Sequence, residues 1–168
     1  MSLLALFATR YFSLLACLIV ILAGCAGSAD ERATGGTTPA RVTKHTDGDT
    51  LWLSAVGKVR LIGIDTPEVF SGPECFGGKA AAFVRRVAPL GSEVRYRLGV
   101  EERDRYGRAL AYVWLEDGRF LNRLVLARGY GEPLTVPPND EYADAFSRAA
   151  AGARRAGRGL WADRGCPP

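Results

Sequence analysis

Histidine is all but absent from this chain: His45 is the only one, and neither Cys75 nor Cys166 has a Cys or His close to it. That excludes a zinc site of the usual nitrogen and sulfur ligands. A large excess of one charge is missing too, since 22 Lys and Arg stand against 18 Asp and Glu in 168 residues. Setting aside residues 1–24, whose only charge is Arg10, leaves 21 against 18, a net charge of +3. So small an excess permits phosphate binding without requiring it. There is no internal repeat, and 48% hydrophobic with 24% charged content suits one globular domain behind a leader. An apolar run of full membrane-spanning length is lacking as well, because the Tyr11 to Ala23 stretch is too short to cross a bilayer comfortably.

What the first 24 residues do form is a signal peptide. Its end, Leu22-Ala23-Gly24-Cys25, resembles the lipobox of bacterial lipoproteins, which implies lipidation of Cys25 and its position as first residue of the mature chain. Residues 25–40 mix Gly, Thr, Ala and both charges without periodicity and read as a flexible tether, leaving 41–168 as the folded domain. The expected location is therefore the outer face of a cell membrane, extracellular or periplasmic. An uncleaved anchor and a plain secretory signal are the alternatives. Cys17 lies in the apolar run and Cys25 is assigned to lipid, so Cys75 and Cys166 remain to form one disulfide. Closing a loop of roughly 90 residues would stabilise the fold by about 4 to 5 kcal/mol on a chain-entropy basis.

Two acidic knots dominate the rest: Asp47-Gly48-Asp49-Thr50 and Asp65-Thr66-Pro67-Glu68. Leu51 to Ile64 reads as two alternating strands around a turn at Val56-Gly57-Lys58, so a hairpin returns Asp65 to the end where Asp49 lies. Converging carboxylates are oxygen ligands of the kind a hard divalent cation takes. Glu68, Arg60 and Arg108 are the side-chain types that phosphodiester hydrolysis uses beside such an ion. One difficulty stands: five residues apart, Arg60 and Asp65 would face opposite sides of a flat strand, so a twist or bulge has to intervene. Taken singly, each motif has a plainer reading. Asp-Gly is a common turn, Thr66-Pro67-Glu68 suits a helix start, and Arg103 to Arg108 suits a charged loop.

Further along, Lys79 to Val87 predicts a helix, Ser92 to Leu98 and Leu110 to Leu115 predict strands, and Phe120 to Arg128 predicts a second helix closed by Gly129. A third helix is expected to about Ala156, capped by Asn139 or Asp140, with Tyr142, Phe146 and Ala149 facing inward. Leu160-Trp161 is expected to dock back. The fold class is α+β, mainly β: a five-stranded OB-type barrel with about three helices.

Asp47-Gly48-Asp49-Thr50, the run Arg60 to Glu68, Asp104-Arg105-Tyr106-Gly107-Arg108-Ala109-Leu110-Ala111-Tyr112-Val113 and Leu121 to Gly129 together resemble the staphylococcal nuclease, or thermonuclease, family from about Arg41 to Trp161. The resemblance implies Ca²⁺-dependent cleavage of DNA and RNA, single strands favoured, by a monomer that leaves 3′-phosphates. It implies metal ligation by Asp49, Asp65 and the Thr66 carbonyl, with Asp47 behind them. Glu68 matches the family's general base, Arg60 and Arg108 its two phosphate-gripping arginines, and Tyr106 a group that contacts substrate. Two features depart from the pattern. Where the family usually presents two nucleotide-contacting tyrosines, this chain has Leu134-Thr135-Val136-Pro137, so base stacking there is lost and single strands are expected to bind more weakly. Val69 to Gly78 carries Cys75, which stiffens the loop beside the site. Alternatives are a non-catalytic binding module, like the degenerate nuclease-like repeats of Tudor-containing proteins, and an envelope lipoprotein serving protein contacts.

Overall fold

The computed structural model describes residues 36–70, 72 and 74–162. The signal peptide, Cys25 and Cys166 lie outside the described residues. Among the described residues no helix is long and apolar enough to cross a membrane.

Among the described residues seven strands and three helices follow one another as β1 (Thr38–His45), β2 (Thr50–Leu53), β3 (Gly57–Leu61), β4 (Gly63–Asp65), α1 (Gly77–Val87), β5 (Glu93–Arg103), β6 (Ala109–Leu115), α2 (Leu121–Ala127), β7 (Glu132–Leu134) and α3 (Ala143–Arg155). A 3-10 turn, Gly159–Trp161, ends the described chain. Five strands close a barrel in the order β1-β2-β3-β6-β5, and β4 pairs with β7 as a separate two-stranded ribbon. With α1 lying in sequence between the third and fourth barrel strands, this is the expected OB-type architecture.

Alternating burial explains the barrel. Along β2 and β3, Leu51, Leu53, Val59 and Leu61 point inward at 1% exposure or less, and Val94, Ala111 and Val113 meet them from β5 and β6. The helices cover the rest with their apolar stripes. Phe83 and Val84 of α1, Leu121, Val125 and Leu126 of α2, and Phe146 of α3 are buried. Tyr112, Phe120, Tyr142 and Phe146 form an aromatic cluster, with ring centroids 4.8 to 6.1 Å apart, that seats α3 against the barrel.

Three local expectations shift. The tight turn of the first hairpin is Ser54 to Val56, and Gly57 already belongs to β3, in register opposite Leu53. β1 begins at Thr38, three residues inside the segment read as tether. The third helix starts at Ala143 with Tyr142 at its cap position and no side-chain cap bond, so neither Asn139 nor Asp140 caps it. Asn139 has other work. Its Oδ1 accepts from the Glu101 N–H at 3.1 Å and its Nδ2 donates to the Glu101 carbonyl at 2.9 Å, stitching the 135–140 loop to β5. Leu160-Trp161 does dock: the Leu160 N–H donates to the Gly129 carbonyl at 2.8 Å, and Arg154 lies 4.1 Å over the Trp161 ring.

The parity conflict between Arg60 and Asp65 is resolved by a corner at Ile62-Gly63. The strand breaks there, and Gly63 takes φ +78°, a left-handed turn that rotates β4 so Asp65 returns to the side of Arg60. Asn122 of α2 holds the corner from within. Fully buried, it donates from Nδ2 to the carbonyls of Ile62 at 2.9 Å and Ala111 at 3.2 Å, and accepts the Val113 N–H at 3.0 Å on Oδ1.

Candidate active site

Asp49 sits at the end of the β1–β2 turn, where its own N–H donates to Asp47 Oδ1 at 3.0 Å. It is 5% exposed, yet both carboxylate oxygens are served. Oδ1 receives the Thr50 hydroxyl at 3.0 Å and Arg60 Nε at 3.1 Å, while Oδ2 receives the Thr66 N–H at 2.9 Å and hydroxyl at 3.0 Å. A buried charge is tolerable only with partners of this kind.

Arg60 connects the two acidic knots. Lying opposite Thr50 in the hairpin, it contacts Asp49 through Nε, the carbonyls of Leu61 (2.9 Å) and Ile64 (2.6 Å) through Nη1, and Asp65 Oδ1 (2.8 Å) through Nη2. Four of its five N–H groups are thus committed, leaving one on Nη2. Arg108 is the opposite case. In the β5–β6 turn, Asp104 accepts the backbone N–H groups of Tyr106 and Arg108 on Oδ1 (both 2.9 Å) and Arg108 Nε on Oδ2 at 2.6 Å. Among the described residues both terminal nitrogens of Arg108 have no protein acceptor. The turn therefore presents a free guanidinium fork, suited to a phosphate.

The carboxylates repel one another where the guanidinium does not intervene. Burial, and next the charge of Asp49, push Asp47 up to about 6. Asp65 is also raised, by desolvation first; Arg60 opposes the shift, while Asp49, Glu74 and Glu132 add to it. Asp104 shows the reverse balance: burial works against ionisation, but the hydrogen bonds from Arg108 and Tyr106 hold its pKa below the ordinary range.

Arg60 and Arg108 share a cleft of about 370 Å³ with Tyr106, Leu134, Val136 and Asn139. A larger depression of about 490 Å³ beside Arg41, Glu93 and Arg95 contains none of the motif residues. Glu68 stands on the exposed loop after β4, outside the cleft walls, with its backbone clamped by Glu74: the Glu68 N–H donates to Glu74 Oε2 at 3.1 Å, and the Glu74 N–H donates to the Glu68 carbonyl at 2.9 Å. The Tyr106 ring is 68% exposed, and its hydroxyl accepts from Arg105 Nη2 at 2.7 Å. Cys75, in the same loop as Glu74, is not a free thiol. His45 has a structural part, its Nε2 lying 2.8 Å from the Ala88 carbonyl.

A family model described as staphylococcal nuclease homologue matches residues 58–163. The thermonuclease of Staphylococcus intermedius is 36% identical over 125 residues, covering 71% of this chain and 74% of that protein. The chain belongs to the staphylococcal nuclease family. A second thermonuclease, from Staphylococcus hyicus, is 32% identical over 129 residues, with 73% and 75% covered. The endonuclease YhcR of Bacillus subtilis matches at 30% over 134 residues, 71% of this chain but 11% of that far longer protein. The barrel with its three helices agrees with membership of the staphylococcal nuclease family, and the chain is a nuclease, a hydrolase of ester bonds.

Among the described residues no three His, Cys, Asp or Glu side chains are grouped to hold a metal. What the structure offers a cation is two carboxylates, Asp49 and Asp65, already drawn onto one positive group, Arg60. Their oxygens fit a hard ion in donor type, provided water completes its coordination. Thr66 uses its N–H and hydroxyl to fix Asp49, which aligns that carboxylate independently of any ion. Sequence reading missed Asn122, for which an Asn inside an apolar helix stripe was the available signal, and it gave Asn139 a capping role in place of its bonds to Glu101.

Proposed function

We propose that this nuclease hydrolyses the phosphodiester backbone of DNA and RNA with Ca²⁺ held by Asp49, Asp65 and the Thr66 carbonyl, leaving 3′-phosphorylated products. The observation that carries this reading is Arg60, which bonds both aspartates and opens on the same cleft as the free fork of Arg108. Bound there, Ca²⁺ would supply charge neutralisation at the scissile phosphate. Arg108 contributes up to four N–H donors to the phosphate oxygens, and Arg60 its remaining one, where negative charge grows during the displacement. Glu68 takes the proton from the attacking water. Asp47 orients Asp49 through its N–H. Tyr106 offers the nucleoside one ring, and the aliphatic walls at Leu134 and Val136 hold bases more weakly than aromatic rings there would.

The setting belongs to the same proposal: export by residues 1–24, lipidation at Cys25, a monomeric domain held on the outer membrane face by residues 25–40, and a Cys75–Cys166 disulfide. The deciding assay incubates the chain with single-stranded DNA and RNA in Ca²⁺ or chelator, beside Glu68→Gln, and follows short 3′-phosphorylated products. Chelation should abolish release, and the substitution should slow it roughly 10²- to 10⁴-fold. Equal product in every sample would refute the reading.

A further inference from the structure

Away from the cleft, four arginines share one corner. Arg128 closes α2, Arg154 and Arg155 lie in the last turn of α3, and Arg158 follows in the connection to Gly159. The corner is fixed by the Leu160 N–H on the Gly129 carbonyl at 2.8 Å, and by Arg158 donating from Nη1 to the Ala127 carbonyl at 3.3 Å and from its N–H to the Ala153 carbonyl at 3.0 Å. All four side chains are exposed. Among the described residues none has a carboxylate within ion-pair distance, in contrast to Arg41, Arg60, Arg97, Arg108 and Arg119. Helix C-termini stabilise a cation by about 0.3 to 1 kcal/mol, which does not account for four gathered with no ion-pair partner among the described residues.

The corner is joined to the active site by a short stretch of chain. Gly131 packs so closely on the Asp65 carbonyl that a Cβ there would lie 2.5 Å from it, and Arg128 is three residues earlier, at most roughly 10 Å of chain. Between them the partly buried Tyr130 ring stacks on Phe83 at 4.3 Å and neighbours Phe76 at 5.5 Å, with Lys79 Nζ 4.7 Å over Phe76. Cations interleaved with aromatic faces are what a single polynucleotide strand engages. The cleft holds one such face, Tyr106, with Arg105 4.8 Å and Arg108 5.5 Å from its ring centre, beside the aliphatic Leu134 and Val136.

We propose that this strip, from Tyr130 to the four-arginine corner, is a second contact for the polynucleotide backbone, binding substrate beyond the nucleotides in the cleft. It rests on the cleft being the place of cleavage, and it makes the enzyme one for polymers: substrate long enough to reach the corner is retained, and a dinucleotide is not.

The test uses the full chain and Arg128→Gln/Arg155→Gln, since neither side chain makes a hydrogen bond or ion pair among the described residues. Binding of a labelled 20-nucleotide single strand is measured in chelator across salt concentrations. At about 0.7 per phosphate contact, losing two should flatten the log–log salt slope by roughly 1.4 and weaken Kd roughly 10-fold or more in low salt. Turnover of a dinucleotide in Ca²⁺ should be unchanged. An unchanged slope overturns the proposal, as does an equal loss of dinucleotide and 20-mer turnover. So does an unchanged slope joined to a lost preference for anionic over neutral vesicles, which would assign the corner to lipid. A flattened slope in a chain that releases nothing in Ca²⁺ would uphold the strip as a polynucleotide contact and sink the proposed Ca²⁺-dependent cleavage in the cleft, so the two fail separately.

Discussion

Arg60 Nε lies 3.1 Å from Asp49 Oδ1, making a positive side chain the present partner of a carboxylate that is 5% exposed. Removing Arg60 leaves that charge buried with only neutral donors, a loss of about 3 kcal/mol or more. Arg60→Gln should therefore lower stability to urea in chelator and regain part of it in millimolar Ca²⁺, because the ion supplies the missing charge. A loss that Ca²⁺ does not reduce would show that the ion binds elsewhere. Arg60→Lys should hold more of the stability and still be slow, since an ammonium cannot reach Asp49, Asp65 and two carbonyls at once.

Asp47 carries a pH dependence of definite sign. Its folded-state pKa of about 6 lies above the ordinary 3.8 because of burial and the neighbouring Asp49 charge. Below about pH 4 the group is protonated in both states and costs nothing. As pH rises through about 6 the folded chain gives up a proton it holds more tightly than the unfolded chain does, so stability falls. The effect is on the order of 1 kcal/mol once partial exposure is discounted. Asp47→Asn keeps an acceptor for the Asp49 N–H, and should raise Tm in chelator at pH 7 with the gain vanishing near pH 4. No gain at pH 7 would contradict the stated balance.

Gly63 should resist substitution for two reasons at once. Its φ is +78°, and an added Cβ would lie 2.3 Å from the Phe146 ring. Gly63→Ala is expected to cost roughly 2 kcal/mol or more and to reduce nucleolytic activity through displacement of Asp65. Gly57→Ala is the control, because its φ of +83° is similar but nothing lies within 4 Å, so about 1 kcal/mol is expected. Equal costs in the two variants would discount the Phe146 contact.

Leu134 and Val136 are 44% and 55% exposed on the cleft wall, where larger rings need no core space. Leu134→Tyr and Val136→Tyr should each tighten binding of a short single strand by about 1 to 3 kcal/mol if the new ring stacks on a base. Titration of a labelled tetranucleotide in chelator reads this directly, and an unchanged Kd would remove the wall from the nucleotide's path.

The barrel was legible because its strands alternate at period two, and one face is buried throughout: Leu51, Leu53, Val59 and Leu61 need no distant partner to be recognised as inward. The helices were legible from their stripes, though the N-terminus of α3 was misplaced. Asn139 looks like a cap locally, and only the approach of β5 shows Glu101 taking both ends of its amide. The candidate site was legible as types and spacing, yet the meeting of Arg60 with Asp65 was not, since strand parity argued against it.

By itself the sequence determined which faces would be apolar, where turns could fall, and which carboxylates and guanidinium groups were available, because these follow from local periodicity and side-chain chemistry. Only the tertiary structure decided how those groups are shared. Gly63 bends under Phe146 and Asn122 fastens the corner from a helix about 60 residues away, so Arg60 spends four donors inside the protein while Arg108, with one donor held by Asp104, keeps its fork open. Such a division depends on backbone carbonyls and buried amides brought together across the fold, and no local pattern of residues encodes it.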